Sequence, residues 1–138
     1  MLVFEELKQG DELRSFVKAP VTKVQLVKYA GASGDYNPLH TDDEFARKVG
    51  MPGVVAHGML VMGFLGQYLG DLKKDSADVI KFGMRFGAIT VPGDQITCTA
   101  LVENVYEENE GRFVDLELKA VNESGKVVGS GKATLRFR

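Results

Sequence analysis

The stretch HGMLVMGFLGQYL, residues 57–69, is the most apolar part of the 138-residue chain. Met59, Leu60, Val61, Met62, Phe64, Leu65 and Leu69 point in nearly all directions on a helical wheel. A helix that is apolar all round is buried on most of its sides. Gly58, Gly63 and Gly66 lower its intrinsic helix propensity. Such a cost is commonly offset by close approach of another backbone or a ligand.

C-terminal to this helix the hydrophobic period changes to two. Val114, Leu116, Leu118 and Ala120 alternate with Asp115, Glu117 and Lys119. Ala133, Leu135 and Phe137 alternate with Lys132, Thr134, Arg136 and Arg138. That is the pattern of antiparallel strands buried on one face. Segments 79–89 and 95–106 are also β-rich, with turn chemistry at Pro92-Gly93-Asp94, Asn109-Glu110-Gly111 and Ser124-Gly125. The charged face of 113–120 reads most simply as the solvated side of a strand.

Toward the N-terminus, residues 11–18 read as a short strand carrying Leu13 and Phe16. Residues 22–30 read as a helix: Thr22 with Gln25 has capping-box spacing. Val24, Val27 and Ala30 are its expected apolar face, and Gly31 its expected stop. Asp42-Asp43-Glu44 opens a second, short helix with acidic residues at its positive end, ending at Gly50. The whole predicts one α+β domain over residues 1–138, a long buried helix packed against one antiparallel sheet.

Composition narrows the function classes. A chain of this size buries roughly two-thirds of its unfolded surface and needs no disulfide or metal staple. Its single cysteine, Cys98, rules out an internal disulfide and a cysteine metal cluster, and within a strand it reads as structural. Two histidines leave little for a histidine metal site. A net charge of −2 gives no case for nucleic acid or an anionic membrane surface. No apolar run approaches the ~18 residues of a membrane span. The N-terminus lacks the basic-then-apolar pattern of a signal peptide, so a cytoplasmic home is expected. Glycine, 16 of 138 residues, is above the usual ~7%.

Chemistry concentrates in YAGASGDYNPLHTDDEFA, residues 29–46. Asp35, Asn37 and His40 place a carboxylate, an amide and an imidazole within six residues. Pro38 fixes its own φ and pushes Asn37 toward extended geometry, so the segment is a stiff loop rather than a helix. Histidine, the residue type at position 40, is the side chain suited to proton transfer near neutral pH. Asp35 can orient it or share a water with it, and Asn37 can fix that water's direction. The plainer alternative is that Asp and Asn bond nearby backbone in an ordinary Asn-Pro turn.

The same stretch resembles the hydratase-2 signature of the MaoC-like family of (R)-specific enoyl-CoA hydratases and dehydratases. Tyr29, Ser33, Gly34, Asp35, Asn37, Pro38, Leu39, His40 and Ala46 occupy the signature positions. Ala56-His57-Gly58-Met59 resembles the start of that family's central helix. Arg85-Phe86 with Val91-Pro92-Gly93-Asp94 resembles the strand pair that follows.

The resemblance implies a hot-dog fold, an antiparallel sheet wrapped around a long central helix. It implies that Asp35 and His40 are the catalytic pair, that Asn37 assists, and that the N–H of Gly58 contributes to an oxyanion hole. Ser33, Tyr36, His57 and Met59 are the expected substrate neighbours. For Met59, Met62 and Phe64 as a group, core packing is the first reading and an acyl-tunnel wall the second. Lys81 and Arg85 are read as phosphate contacts or as a solvated strand face. The implied reaction is hydration of a trans-2-enoyl thioester to the (R)-3-hydroxyacyl thioester, or its reverse. The alternatives are the catalytic subunit of a two-chain 3-hydroxyacyl-carrier dehydratase and a hot-dog thioesterase. The substrate is carried on coenzyme A or acyl carrier protein, no prosthetic cofactor or metal is expected, and the exposed sheet edge points to a homodimer or larger homo-oligomer.

Overall fold

A computed structural model describes residues 1–138. Its helices are α1 (Lys23–Ser33), α2 (Asp43–Lys48) and α3 (Gly58–Lys73). Its strands are β1 (Phe16–Val17), β2 (Ala77–Phe86), β3 (Thr97–Glu108), β4 (Gly111–Val121) and β5 (Val127–Phe137). They form one antiparallel sheet in the order β1-β3-β4-β5-β2. The period-two reading of the C-terminal half holds. Val114, Leu116, Leu118, Ala120, Ala133 and Leu135 are all buried on the inner face. Asn109 and Glu110, both at positive φ, make the two-residue β3–β4 turn whose twist suits a hairpin.

The sheet curls around α3, which buries Leu60, Val61, Phe64, Leu65, Tyr68, Leu69 and Leu72. These and the inner-face residues form one core cluster. This is the hot-dog arrangement of sheet around helix. Tyr68 buries its ring but not its hydrogen-bonding need, since its hydroxyl donates to the Arg14 carbonyl at 2.7 Å. Burial pushes its pKa up to about 12. Cys98 faces the core beneath β3, where burial pushes the thiol up to about 11, so it is an inert packing group.

Several expectations change. The first helix runs past Gly31 and stops at Gly34, whose φ of 77° supplies the left-handed cap. Its Thr22 cap is as expected, with the hydroxyl accepting from the Gln25 N–H. The buried face is Leu26 and Ala30; Val24 and Val27 point to solvent, 63% and 58% exposed. The larger Leu26 competes for the core and wins. Of residues 11–18 only Phe16 and Val17 form a strand, with Glu12 bridging to Leu101.

The central helix is also not enclosed on every side. Met59 is 55% exposed, Met62 half-buried and only Phe64 of the three sits in the core. A Cβ added at Gly63 or Gly70 would meet nothing within 4 Å. The propensity cost of those glycines is therefore not offset by any neighbour within this chain. No helix is long and apolar enough to cross a membrane.

The packing of α3 carries much of the stability of the fold. Leu65 is fully buried. Leu65→Ala should cost about 2–5 kcal/mol, read as a lower denaturant midpoint with an unchanged slope.

Candidate active site

The loop after α1 is built from short polar steps. The Ser33 hydroxyl accepts from the Asp35 N–H at 3.1 Å. Asp35 Oδ1 accepts from the Asn37 N–H at 3.3 Å, and Asn37 Oδ1 from the Leu39 N–H at 3.0 Å. Each side-chain oxygen serves the amide two residues on, the geometry of Asx and ST turns. Asn37 thereby caps the 3-10 turn Pro38–His40. The plain turn reading of Asn37 is thus correct for its carbonyl oxygen, and its amide N–H groups and the oxygen's second lone pair remain for any role with substrate.

His40 is carried by that turn into a fixed orientation. A carbonyl oxygen can only accept, so Nδ1–H of His40 donates to the Val55 carbonyl, at 2.7 Å. That leaves Nε2 as the ring's acceptor. Nε2 lies 3.8 Å from Asp35 Oδ2, with His40 at 11% and Asp35 at 53% side-chain exposure. The separation is too long for a direct hydrogen bond and short enough for one water to touch both. Asp35 therefore divides its carboxylate, one oxygen to the loop and the other toward His40.

Two further contacts complete the floor. The His57 ring stacks on His40, with centroids 3.8 Å apart and planes 22° apart. The main chain beside it is fixed by Ala56 N–H donating to the Thr90 carbonyl at 2.7 Å. Gly58 opens α3, so its N–H has no acceptor within the helix and lies at the positive end of the helix dipole. A Cβ there would come within 2.9 Å of the Phe86 ring, so only glycine lets that ring cover the helix start. Asp35, His40 and His57 offer donor atoms within 4.8 Å of one another. Two stacked imidazoles, however, place their lone pairs in nearly parallel planes, and one ion could not lie in both.

The expected site residues thus divide. Asp35 and His40 face each other beside the start of α3, where Gly58 lies, while the Asn37 side chain bonds only within its own loop. Ser33 sits behind the loop as a turn former, and Tyr36 and Met59 are exposed at 69% and 55%. His57 is 2% exposed and lies behind His40 rather than along an open path. Lys81 and Arg85 lie on the exposed strand β2.

One structural contributor has a quiet signal in the acidic doublet 42–43. Asp42 caps α2, accepting from the N–H groups of Glu44 and Phe45. Asp43 instead ties three segments together. It accepts from the Val54 N–H at 2.9 Å and pairs with Lys23 of α1. The Lys23 ammonium, with the Val54 N–H, holds its carboxyl below the usual value of 3.8.

The family model described as "MaoC like domain" matches residues 6–123, and the chain belongs to this family. It is 32% identical over 133 residues to the (R)-specific enoyl-CoA hydratase of Rhodospirillum rubrum, covering 96% of this chain and 89% of that one. It is 30% identical over 129 residues to the mitochondrial 3-hydroxyacyl-[acyl-carrier-protein] dehydratase of Arabidopsis thaliana, covering 93% and 76%. The crystal structure of a MaoC-like dehydratase from Rhodospirillum rubrum superposes with a TM-score of 0.87 at 23% identity, covering 100% and 98%, and shows the shared fold.

Asp43 gives a pH-dependent prediction. Its lowered folded value means protonation favours the unfolded state, so the stability it contributes is present above 3.8 and lost as pH falls through the folded value. Asp43→Asn keeps an acceptor for Val54 but loses the charge facing Lys23. The variant should be less stable than wild type at pH 7, with the gap closing as pH falls below 3.8 through the folded value in denaturation curves.

Proposed function

We propose that the chain adds water across the double bond of a trans-2-enoyl thioester to give the (R)-3-hydroxyacyl thioester, and catalyses the reverse dehydration. The observation that carries this reading is the His40 Nε2 acceptor facing Asp35 Oδ2 at 3.8 Å, with Nδ1 committed to Val55. The names of the relatives described above support it.

In the forward direction one water is held between Asp35 and His40. His40 Nε2 takes a proton from it as the oxygen bonds to C3 of the enoyl group. The electron pair of the C2–C3 bond moves toward the thioester carbonyl, whose oxygen gains negative charge. The Gly58 N–H at the helix start is placed to stabilise that charge, and such a donor is typically worth about 3–4 kcal/mol. The imidazolium then returns a proton to C2, restoring the enzyme. Oxidation levels of enzyme and water are unchanged, so the reaction calls for no redox cofactor. The thioester is carried on coenzyme A or on acyl carrier protein, which share the pantetheine arm.

The homo-oligomer also belongs to this reading. Strand β2 is a ten-residue sheet edge, and Val79, Ile80 and Phe86 on it are exposed. Unpaired edges of this length are commonly covered by another chain. A second copy pairing there would cover both that edge and the open glycine face of α3.

Crotonyl-CoA and longer enoyl-CoAs, followed by loss of enoyl absorbance and chiral analysis of the product, test the chemistry. Wild type should turn over at least one length to the (R)-product, and Asp35→Asn and His40→Ala should each lose about 10²–10⁴-fold in kcat. A wild type inactive on every length, or release of free thiol from saturated acyl-CoA instead, would sink the assignment. Size-exclusion with light scattering should give about twice the 15.1 kDa chain mass or a higher multiple. A monomer at assay concentration would refute the oligomer.

A further inference from the structure

His57 takes no part in the reaction as written, yet it touches both members of the catalytic pair. Its ring is 2% exposed and lies between two others. Tyr29 of α1 meets it edge-on, with centroids 4.8 Å apart and planes at 67°. His40 stacks on it at 3.8 Å. Its Nε2–H donates to the main-chain carbonyl of Asp35, at 3.2 Å. We infer that His57 is a positioning residue: one ring holds the Asp35 main chain and the His40 imidazole in register without touching substrate.

The geometry supports this on two grounds. The loop relay from Ser33 to Leu39 is local and fixes only the loop's internal shape. The bond from His57 to the Asp35 carbonyl is the contact that ties the loop, at the catalytic residue itself, to the start of α3. The stack does the same for His40, whose only other side-chain anchor is the Val55 carbonyl. His57 thus joins two groups whose mutual distance the proton transfer depends on.

The second ground is the ring's charge. Nε2 carries the proton that Asp35 accepts, so Nδ1 is the bare nitrogen, and it is buried without a partner. A proton there would be an unpaired, buried N–H. Burial accordingly lowers the His57 pKa, His40 adds to the lowering, and the bond to the Asp35 carbonyl and the Asp35 charge oppose it. The groups facing the ring are Tyr29, His40 and Asp35. When His40 takes a proton during turnover, the ring stacked on it stays neutral, and no second cation sits 3.8 Å away to oppose the transfer.

This inference rests on the hydratase reading, and the test separates the two. The chain has only two histidines, so ¹⁵N-histidine NMR of the intact wild type resolves both rings. His40 should appear as the Nδ1–H tautomer and His57 as the Nε2–H tautomer, with His57 staying neutral to lower pH than an exposed imidazole. His57→Gln keeps a donor and loses the ring; His57→Phe keeps the ring and loses the donor. Each should lower kcat on the enoyl-CoA substrate by up to about 10²-fold with little change in KM, and move the acid limb of the kcat profile. Wild-type kcat and pH profile in both variants would overturn the inference, as would a loss confined to KM, which marks a substrate contact. Should both variants fail to fold, the wild-type NMR decides: a His57 that titrates like an exposed imidazole or adopts the other tautomer refutes the inference. A wild type without hydratase activity overturns the functional reading, while the NMR still judges the His57 contacts.

Discussion

Leu65, Tyr68, Leu69 and Leu72 disappear from solvent because the sheet curls over α3, and the position of that helix sets everything else. Burying one such side chain is worth about 1.5–3 kcal/mol, whereas a typical hydrogen bond nets about 1 kcal/mol. Packing therefore decides where α3 lies, and hydrogen bonds then choose among the local conformations that remain. The start of the helix carries residues 55–58 with it. Through the Val55 carbonyl and the His57 ring, that segment orients His40 and the loop that bears Asp35. An exposed carboxylate and a largely buried imidazole thus take their placement from the position of the helix.

The glycines of α3 have different reasons. A Cβ at Gly58 would push aside the Phe86 ring that lies against it. Gly63 and Gly70 face open space in the single chain, so their helix cost has no internal compensation. They share the open side of α3 with Met59, and β2 is the nearby uncovered edge. Within one chain the molecule is finished on the inner face of its sheet and unfinished along this flank.

The β half was legible because a two-residue period has few competing explanations, and the inward positions 114–120 of β4 and 133–137 of β5 followed from it, though not the buried Val128 at the start of β5. The first helix was less legible. Val24, Val27 and Ala30 make a plausible face, but Leu26 buries more apolar surface, and a helical wheel does not weigh one face against another. The residue types of the site were visible in 33–40 and at 58. The contacts that orient them were not, because the Val55 and Asp35 acceptors are main-chain carbonyls that carry no residue identity. The stack of His57 on His40 joins positions 17 apart in sequence and depends on how the chain returns to the helix. In the pair Asp42-Asp43 only one residue can cap the short helix; the other being free to bridge Lys23 and Val54 is a consequence of the fold alone.

The loop relay divides labour by parity. Ser33, Asp35, Asn37 and Leu39 are bonded in sequence through every second residue, so the odd positions hold the loop's shape. Tyr36, between them, contributes no side chain to this scaffold and stands 69% exposed beside the Asp35 carboxylate. Its identity can change without loosening the groups on either side. Such a position lets the chain vary what it shows to solvent while the loop beside it keeps its shape.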